Sequence, residues 1–176
     1  MIKHNNNMVE GYTSVQKALH WLIAIMILSS LAVGFSFDFL SNSDLKNTLR
    51  NLHKLSGVII LFLVGVRIFF RVYTPAPKLP LSKWHVLIAK CSHMVLYVLM
   101  AAIPLSGWIM SSAVKKMPYH LPYLPLVPFN QSLAKQMYSY HGFFAYAIAI
   151  LITVHISATF IHIYRGEPIF ERMRPW

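Results

Sequence analysis

The chain has little charge, and what is missing is missing in blocks. Only 12% of its 176 residues are Asp, Glu, Lys or Arg. Three stretches contain none of them: Ala18 to Phe37, Cys91 to Val114 and Gln136 to Tyr164. With 56% hydrophobic residues and a mean hydropathy of +0.52, such a chain is too apolar for an ordinary soluble domain. Cysteine is almost absent as well. Cys91 stands alone, which excludes an internal disulfide and any cysteine-based cluster or zinc site. No GxGxxG or P-loop pattern, no HExxH and no Ser-His-Asp signature is present, and no internal repeat. Nothing in the chain calls for nucleic acid as a partner.

The uncharged runs of 20, 24 and 29 residues each suffice to cross a hydrocarbon core, which needs about 20. A fourth run, Leu55 to Val66, is shorter. It spans if Lys54 and Arg67 lie near opposite faces and extend their charged ends to water. The expectation is an all-α, four-helix transmembrane bundle forming one domain over residues 1–176. Its helices fall at about 14–37, 51–72, 83–112 and 136–165, with Pro104 kinking the third. The first span carries His20 and Trp21 and lacks a small-x-small site before Asp38, so it reads as a retained helix rather than a cleaved signal. The tail with Asn5, Asn6 and Asn7 reads as loose, and Thr74 to Pro80 as an extended connector. The loop from Ala113 to Lys135 holds Pro118, Pro122, Pro125, Pro128, Tyr119, Tyr123 and Phe129, and is expected to pack over the bundle.

Four spans place both termini on one side. That side carries Lys3, Lys17, Arg67, Arg71, Lys78, Lys83, Lys90, Arg165, Arg172 and Arg174. The other carries Lys46, Arg50, Lys54, Lys115, Lys116 and Lys135, with Asp38 and Asp44 its only acids. The excess puts both termini in the cytoplasm. The outward surface remains net basic.

Nine histidines are many for this length. His4 and His120 fall in tail and loop, and His85 at the start of the third helix. His20, His53, His93, His141, His155 and His162 fall within or beside apolar spans, where an ionisable group is costly unless it has a partner. His141 and His155 lie fourteen residues apart, which brings them within roughly 40° on one helix face and separates them by about 21 Å along the axis. Chain direction supplies the partners. His53, early in the second helix, shares the outer depth of His141. His20, early in the first, shares the inner depth of His155, but so does His93, and spacing alone does not choose between them. Two histidine pairs at two depths suit two six-coordinate haems built for electron transfer. No C-x-x-C-H occurs, so covalent c-type attachment is excluded and haem b is implied.

Gly57 and Ala145, one turn after His53 and His141, are small enough to admit a porphyrin, although ordinary helix packing uses small residues too. Arg67 and Arg71 on the inner side, and Lys54 or Lys135 on the outer, are candidate partners for haem propionates; the arginines equally satisfy the positive-inside bias. His162 is about 10 Å beyond His155, too far to share its iron. It can bond a propionate or a quinone carbonyl, or simply sit at the interface.

The chain resembles the bacterial cytochrome b561 family of four-helix dihaem membrane proteins over essentially its whole length. The matching pieces are Leu19-His20-Trp21-Leu22, Leu52-His53-Lys54-Leu55-Ser56-Gly57, Val66-Arg67-Ile68, Tyr73-Thr74-Pro75-Ala76-Pro77, Ser92-His93-Met94-Val95-Leu96-Tyr97, Pro104-Leu105-Ser106-Gly107, and His141, His155 and His162. The resemblance implies that His20 and His155 hold an inner haem b and His53 and His141 an outer one, favouring His20 over His93. It implies a bacterial inner-membrane location and oxidation of periplasmic superoxide with reduction of ubiquinone. Lys115, Lys116 and Lys135 on a basic outer face would steer the anion. Alternatives are a quinone-linked cytochrome serving a periplasmic redox protein and, in another class, a haem-free transporter or structural bundle. The second outer loop departs from the family pattern, which leaves the electron donor open.

Overall fold

A computed structural model describes residues 11–74, 82–116 and 126–174. Lys3, His4 and the Asn5–Asn7 run lie outside these residues. So do connector positions 75–80 with Lys78, and loop positions 118–125 with His120. The fold is all-α. Helix α1 spans Ser14–Ser36, α2 Asp44–Tyr73, α3 Lys83–Ala113 and α4 Gln131–Tyr164; a short 3-10 turn, Phe170–Arg172, follows. All four helices are long and apolar enough to cross a membrane. At 1.5 Å per residue they run about 35 to 51 Å, beyond the 30 Å of hydrocarbon.

Local chemistry explains the ends. Thr13 and Gln16 form a reciprocal capping box before α1. Ser43 accepts the Lys46 amide at the start of α2, with Asp44 in the first turn where the helix dipole favours an acid. Asn130 accepts the Leu133 amide at the start of α4. These caps explain two differences from the sequence expectation. Helix α2 begins at Asp44 rather than near Asn51, and α4 at Gln131 rather than near Gln136. Uncharged length finds the part of a helix inside the hydrocarbon. The polar turns outside it are closed by caps that hydropathy does not see. Helix α4 ends at Tyr164, and Gly166 just beyond it, with a φ of +71°, lets the chain reverse, the Glu167 amide donating to the His162 carbonyl at 3.0 Å.

Helix α1 packs on α2, α2 on α3 and α3 on α4, while the α1–α4 seam that would complete the ring is nearly free of backbone contact. Phe35 and Tyr146 reach across it, ring centroids 5.1 Å apart. The buried core is small: Ile23, Ile27, Ile60 and Val64, between α1 and α2. Most other large apolar side chains, such as Ile25, Phe62, Val98, Phe143 and Ile150, face outward, as helices in lipid require. Polar bonds tie the helices where small residues meet, including Ser30 to Ser56 across α1 and α2 at 2.7 Å.

Candidate functional site

The end of the bundle where α1 and α3 finish and α2 and α4 begin, the outer end in the expected orientation, brings His53 and His141 together. Their ring centroids are 6.1 Å apart at 78°. Phe37 packs edge-on to His53 at 5.7 Å, with the Arg50 guanidinium 6.0 Å from the Phe37 ring. Two glycines border these rings, Gly107 from the Pro104–Gly107 motif and Gly34, which no motif marked. A Cβ on Gly34 would stand 3.3 Å from His53 Cε1, and one on Gly107 would stand 3.2 Å from His141 Cε1. A Cβ on Gly57 would meet only Pro104, at an ordinary 3.8 Å.

The His141 ring is held by α3. Its Nδ1 lies 2.9 Å from the Ile103 carbonyl and 3.1 Å from Ser106 Oγ, which itself donates to Ile103 at 2.7 Å. A carbonyl only accepts, so Nδ1 carries the proton and Nε2 presents a bare lone pair. Pro104, next to Ile103 inside α3, lacks the N–H that would bond the carbonyl four residues back. His53 Nδ1 is buried without a hydrogen bond. Lys54 donates its ammonium to the Lys116 backbone carbonyl, which brings both to the outer end of the bundle. Lys115 and Lys116 are exposed where α3 finishes, Lys115 with a left-handed φ of 55°; Lys135 is exposed in the early turns of α4.

The inner end assembles a second group. His93 and His155 rings are 5.5 Å apart at 66°. His20 lies within electrostatic range of both, and its Nδ1 accepts from Arg67 Nη2 at 3.2 Å. Arg67 also donates to Tyr97 Oη at 3.1 Å and to the Gln16 carbonyl at 3.3 Å, so one guanidinium joins α1, α2 and α3. Arg71 instead reaches Tyr12, at 3.5 Å. His162 stands apart from this group, bonded to Glu167 at 2.6 Å. Among the described residues, no three His, Cys, Asp or Glu side chains converge as a bare metal ion would need. A groove of about 320 Å³ opens between α2 and α3, lined by Ile68, Arg71, Lys90, His93, Met94, Tyr97 and Val98.

The carboxy-terminal turn also went unread in the sequence. Trp21 Nε1 donates to the Met173 carbonyl at 2.8 Å and the Tyr12 amide to the Arg172 carbonyl at 3.1 Å, so residues 170–173 fold back beneath the start of α1. Gly166 and Pro168 are local signals that the chain turns here; nothing local says where it docks.

Comparison with known proteins places the chain beside bacterial membrane cytochromes. A family profile described as prokaryotic cytochrome b561 matches residues 11–176. The Escherichia coli (strain K12) protein named cytochrome b561 homolog 2 is 34% identical over 111 residues, covering 61% of this chain and 58% of that protein. The Yersinia pestis protein named probable superoxide oxidase CybB is 24% identical over 169 residues, covering 89% of this chain and 91% of that protein.

Proposed function

The chain belongs to the prokaryotic cytochrome b561 family of b-type membrane electron carriers, and from that premise we propose that it is a superoxide:ubiquinone oxidoreductase carrying two haem b groups, with both termini cytoplasmic. Two superoxide anions each give up one electron to become O2; ubiquinone takes those two electrons and two protons to become ubiquinol. When bound, haem b supplies a one-electron ferric–ferrous couple.

The single observation that carries this reading is the outer pair. His53 and His141 face each other from α2 and α4. Each ring is bordered by a glycine, and the Ile103 carbonyl orients His141 so that Nε2 is free. Metal-bound histidines characteristically donate their second nitrogen to such an acceptor. The donor set therefore fits a haem, with His53 and His141 as outer ligands. We assign His20 and His155 as inner ligands, on their common depth. Arg67 can only donate, so His20 Nδ1 is an acceptor in this arrangement. Ligation through Nε2 asks Arg67 to exchange that contact for another acceptor, and a propionate is one. Arg71 and Lys54 are assigned the same anionic groups, and His93 and Tyr97 in the α2–α3 groove the quinone head. His162, tied to Glu167, is then a structural residue of the inner end.

Superoxide oxidation needs no acid, base or nucleophile, only approach. Lys115, Lys116 and Lys135, with Lys54 beside them, present cations at the outer end and raise the local concentration of a small anion. A second reading, a cytochrome serving an acidic periplasmic redox protein, draws on the same basic end; the name of the E. coli relative specifies no superoxide chemistry. Stopped-flow mixing of purified oxidised protein with superoxide separates the two. Fast reduction, slowed by salt, is expected. Reduction no faster than that of a haem protein lacking the basic end would rule out the oxidase and leave the carrier. A protein with no Soret band after expression with ample haem would remove both.

A further inference from the structure

Arg172 is an anomaly that the proposed electron path does not use. It is only 8% exposed, and its Nε and Nη1 are buried with no hydrogen-bond partner. Burying a charged guanidinium without a counter-charge carries a desolvation penalty that nothing offsets. Folding does not place a charge so unless something anionic meets it. Glu10 and the terminal carboxylate lie outside the described residues, and the chain's other acids are placed elsewhere. Glu171 pairs with Arg174 at 3.4 Å and Glu167 with His162 at 2.6 Å, while Asp38 and Asp44 lie at the opposite end of the bundle.

The position of Arg172 points to the missing anion. Its turn packs against α4 and takes backbone and indole bonds from Tyr12 and Trp21 at the start of α1. It therefore lies under the α1–α4 seam, the least closely packed in the bundle. His20, whose ring is 5.5 Å from Trp21, and His155 belong to those same two helices. A haem b held between them would bring two carboxylates, anions of the kind a buried guanidinium takes.

We propose that Arg172 is a binding residue for the inner haem, its unpartnered N–H groups taking a propionate carboxylate. The turn after α4 is then part of the cofactor site rather than a tail. Its docking on Trp21 and Tyr12 holds that cation in place before the cofactor arrives. This rests on the dihaem reading above, and the test keeps the two apart.

The probe is a pair of cofactors, protohaem and its dimethyl ester, which lacks the carboxylate charge, titrated into full-length apoprotein in detergent. Wild type should bind two protohaem equivalents, with one equivalent disfavouring the ester by about tenfold at this contact, as a charge-assisted pair would give. Arg172→Gln should cut the inner haem's discrimination by about tenfold, leaving what Arg67 and Arg71 supply, and lower the midpoint potential of the same haem, because a nearby cation favours the reduced iron. If Arg172→Gln binds neither haem, Arg172→Lys decides: it keeps the charge but loses the fork, and discriminates less than wild type. Ester discrimination and potentials equal to wild type in the variant that folds would overturn the proposal. So would a variant that weakens both cofactors equally, which would make the partner a lipid phosphate or a protein carboxylate. Wild type that binds no haem at all refutes the dihaem reading instead.

Discussion

Gly107→Ala is the sharpest perturbation the outer site offers. The added methyl would stand 3.2 Å from His141 Cε1 and 3.3 Å from Nδ1, inside ordinary van der Waals contact. Nothing flexible absorbs it, because the ring is tethered on the same side by the 2.9 Å bond to Ile103. Relief requires the ring to shift by a few tenths of an ångström, stretching that bond and turning Nε2. Overpacking of this kind costs about 1–3 kcal/mol, and a weakened hydrogen bond adds about 1. Against these stands about 1 kcal/mol gained by replacing a helical glycine with alanine. The net loss, about 1–3 kcal/mol, falls on the outer haem, so its affinity should drop by roughly five- to a hundredfold. The assay is haem content with a reduced-minus-oxidised spectrum and a redox titration that resolves the two haems. The inner haem should be unchanged. Gly65→Ala is the control, since nothing lies within 4 Å of its missing Cβ; it should keep both haems and gain a little stability. A Gly107→Ala protein with both haems bound at wild-type affinity, and unchanged potentials, would refute the tethered-ring account.

His53→Ala and His141→Ala should each empty the outer site and spare the inner, read as one haem per chain. His20→Ala should empty the inner site while His93→Ala keeps it; the reverse result would move the inner axis to the His93–His155 pair that touches at 5.5 Å. Replacing Lys115 and Lys116 together by Gln should slow reduction by superoxide several-fold at low ionic strength and flatten its salt dependence, with little change at about 1 M salt, where the Debye length is about 3 Å. An unchanged rate at low salt would deny these lysines a steering role. Trp21→Phe removes the 2.8 Å bond to Met173 and should loosen the carboxy-terminal turn by about 1 kcal/mol. Faster amide exchange over residues 167–174 would register it, with the four helices unaffected.

Much of this molecule was legible before any coordinates. Charge-free length is decisive in a bilayer, because backbone groups in hydrocarbon must be satisfied internally and a long apolar run can do so as a helix. Four helices follow from that, and chain direction then sorts His53 with His141 and puts His20, His93 and His155 at a common depth. Depth depends only on position along an axis, which sequence states directly. Rotation about the axis is another matter. A membrane helix is apolar nearly all round, so no polar face announces which side turns inward.

For that reason tertiary structure alone decided which residues touch: Gly34 and Gly107 against the histidine rings, and the Ile103 carbonyl with Ser106 Oγ as the His141 tether. It also set His155 against His93 and Arg67 against His20. The caps at Ser43 and Asn130 extended α2 and α4 into regions that hydropathy assigns to loops. Arg172 shows the same division most clearly. In sequence it is one of ten inner-side basic residues. Only the fold-back of the chain onto Trp21 and Tyr12 buries it, and burial is what turns an ordinary cation into one that needs a partner.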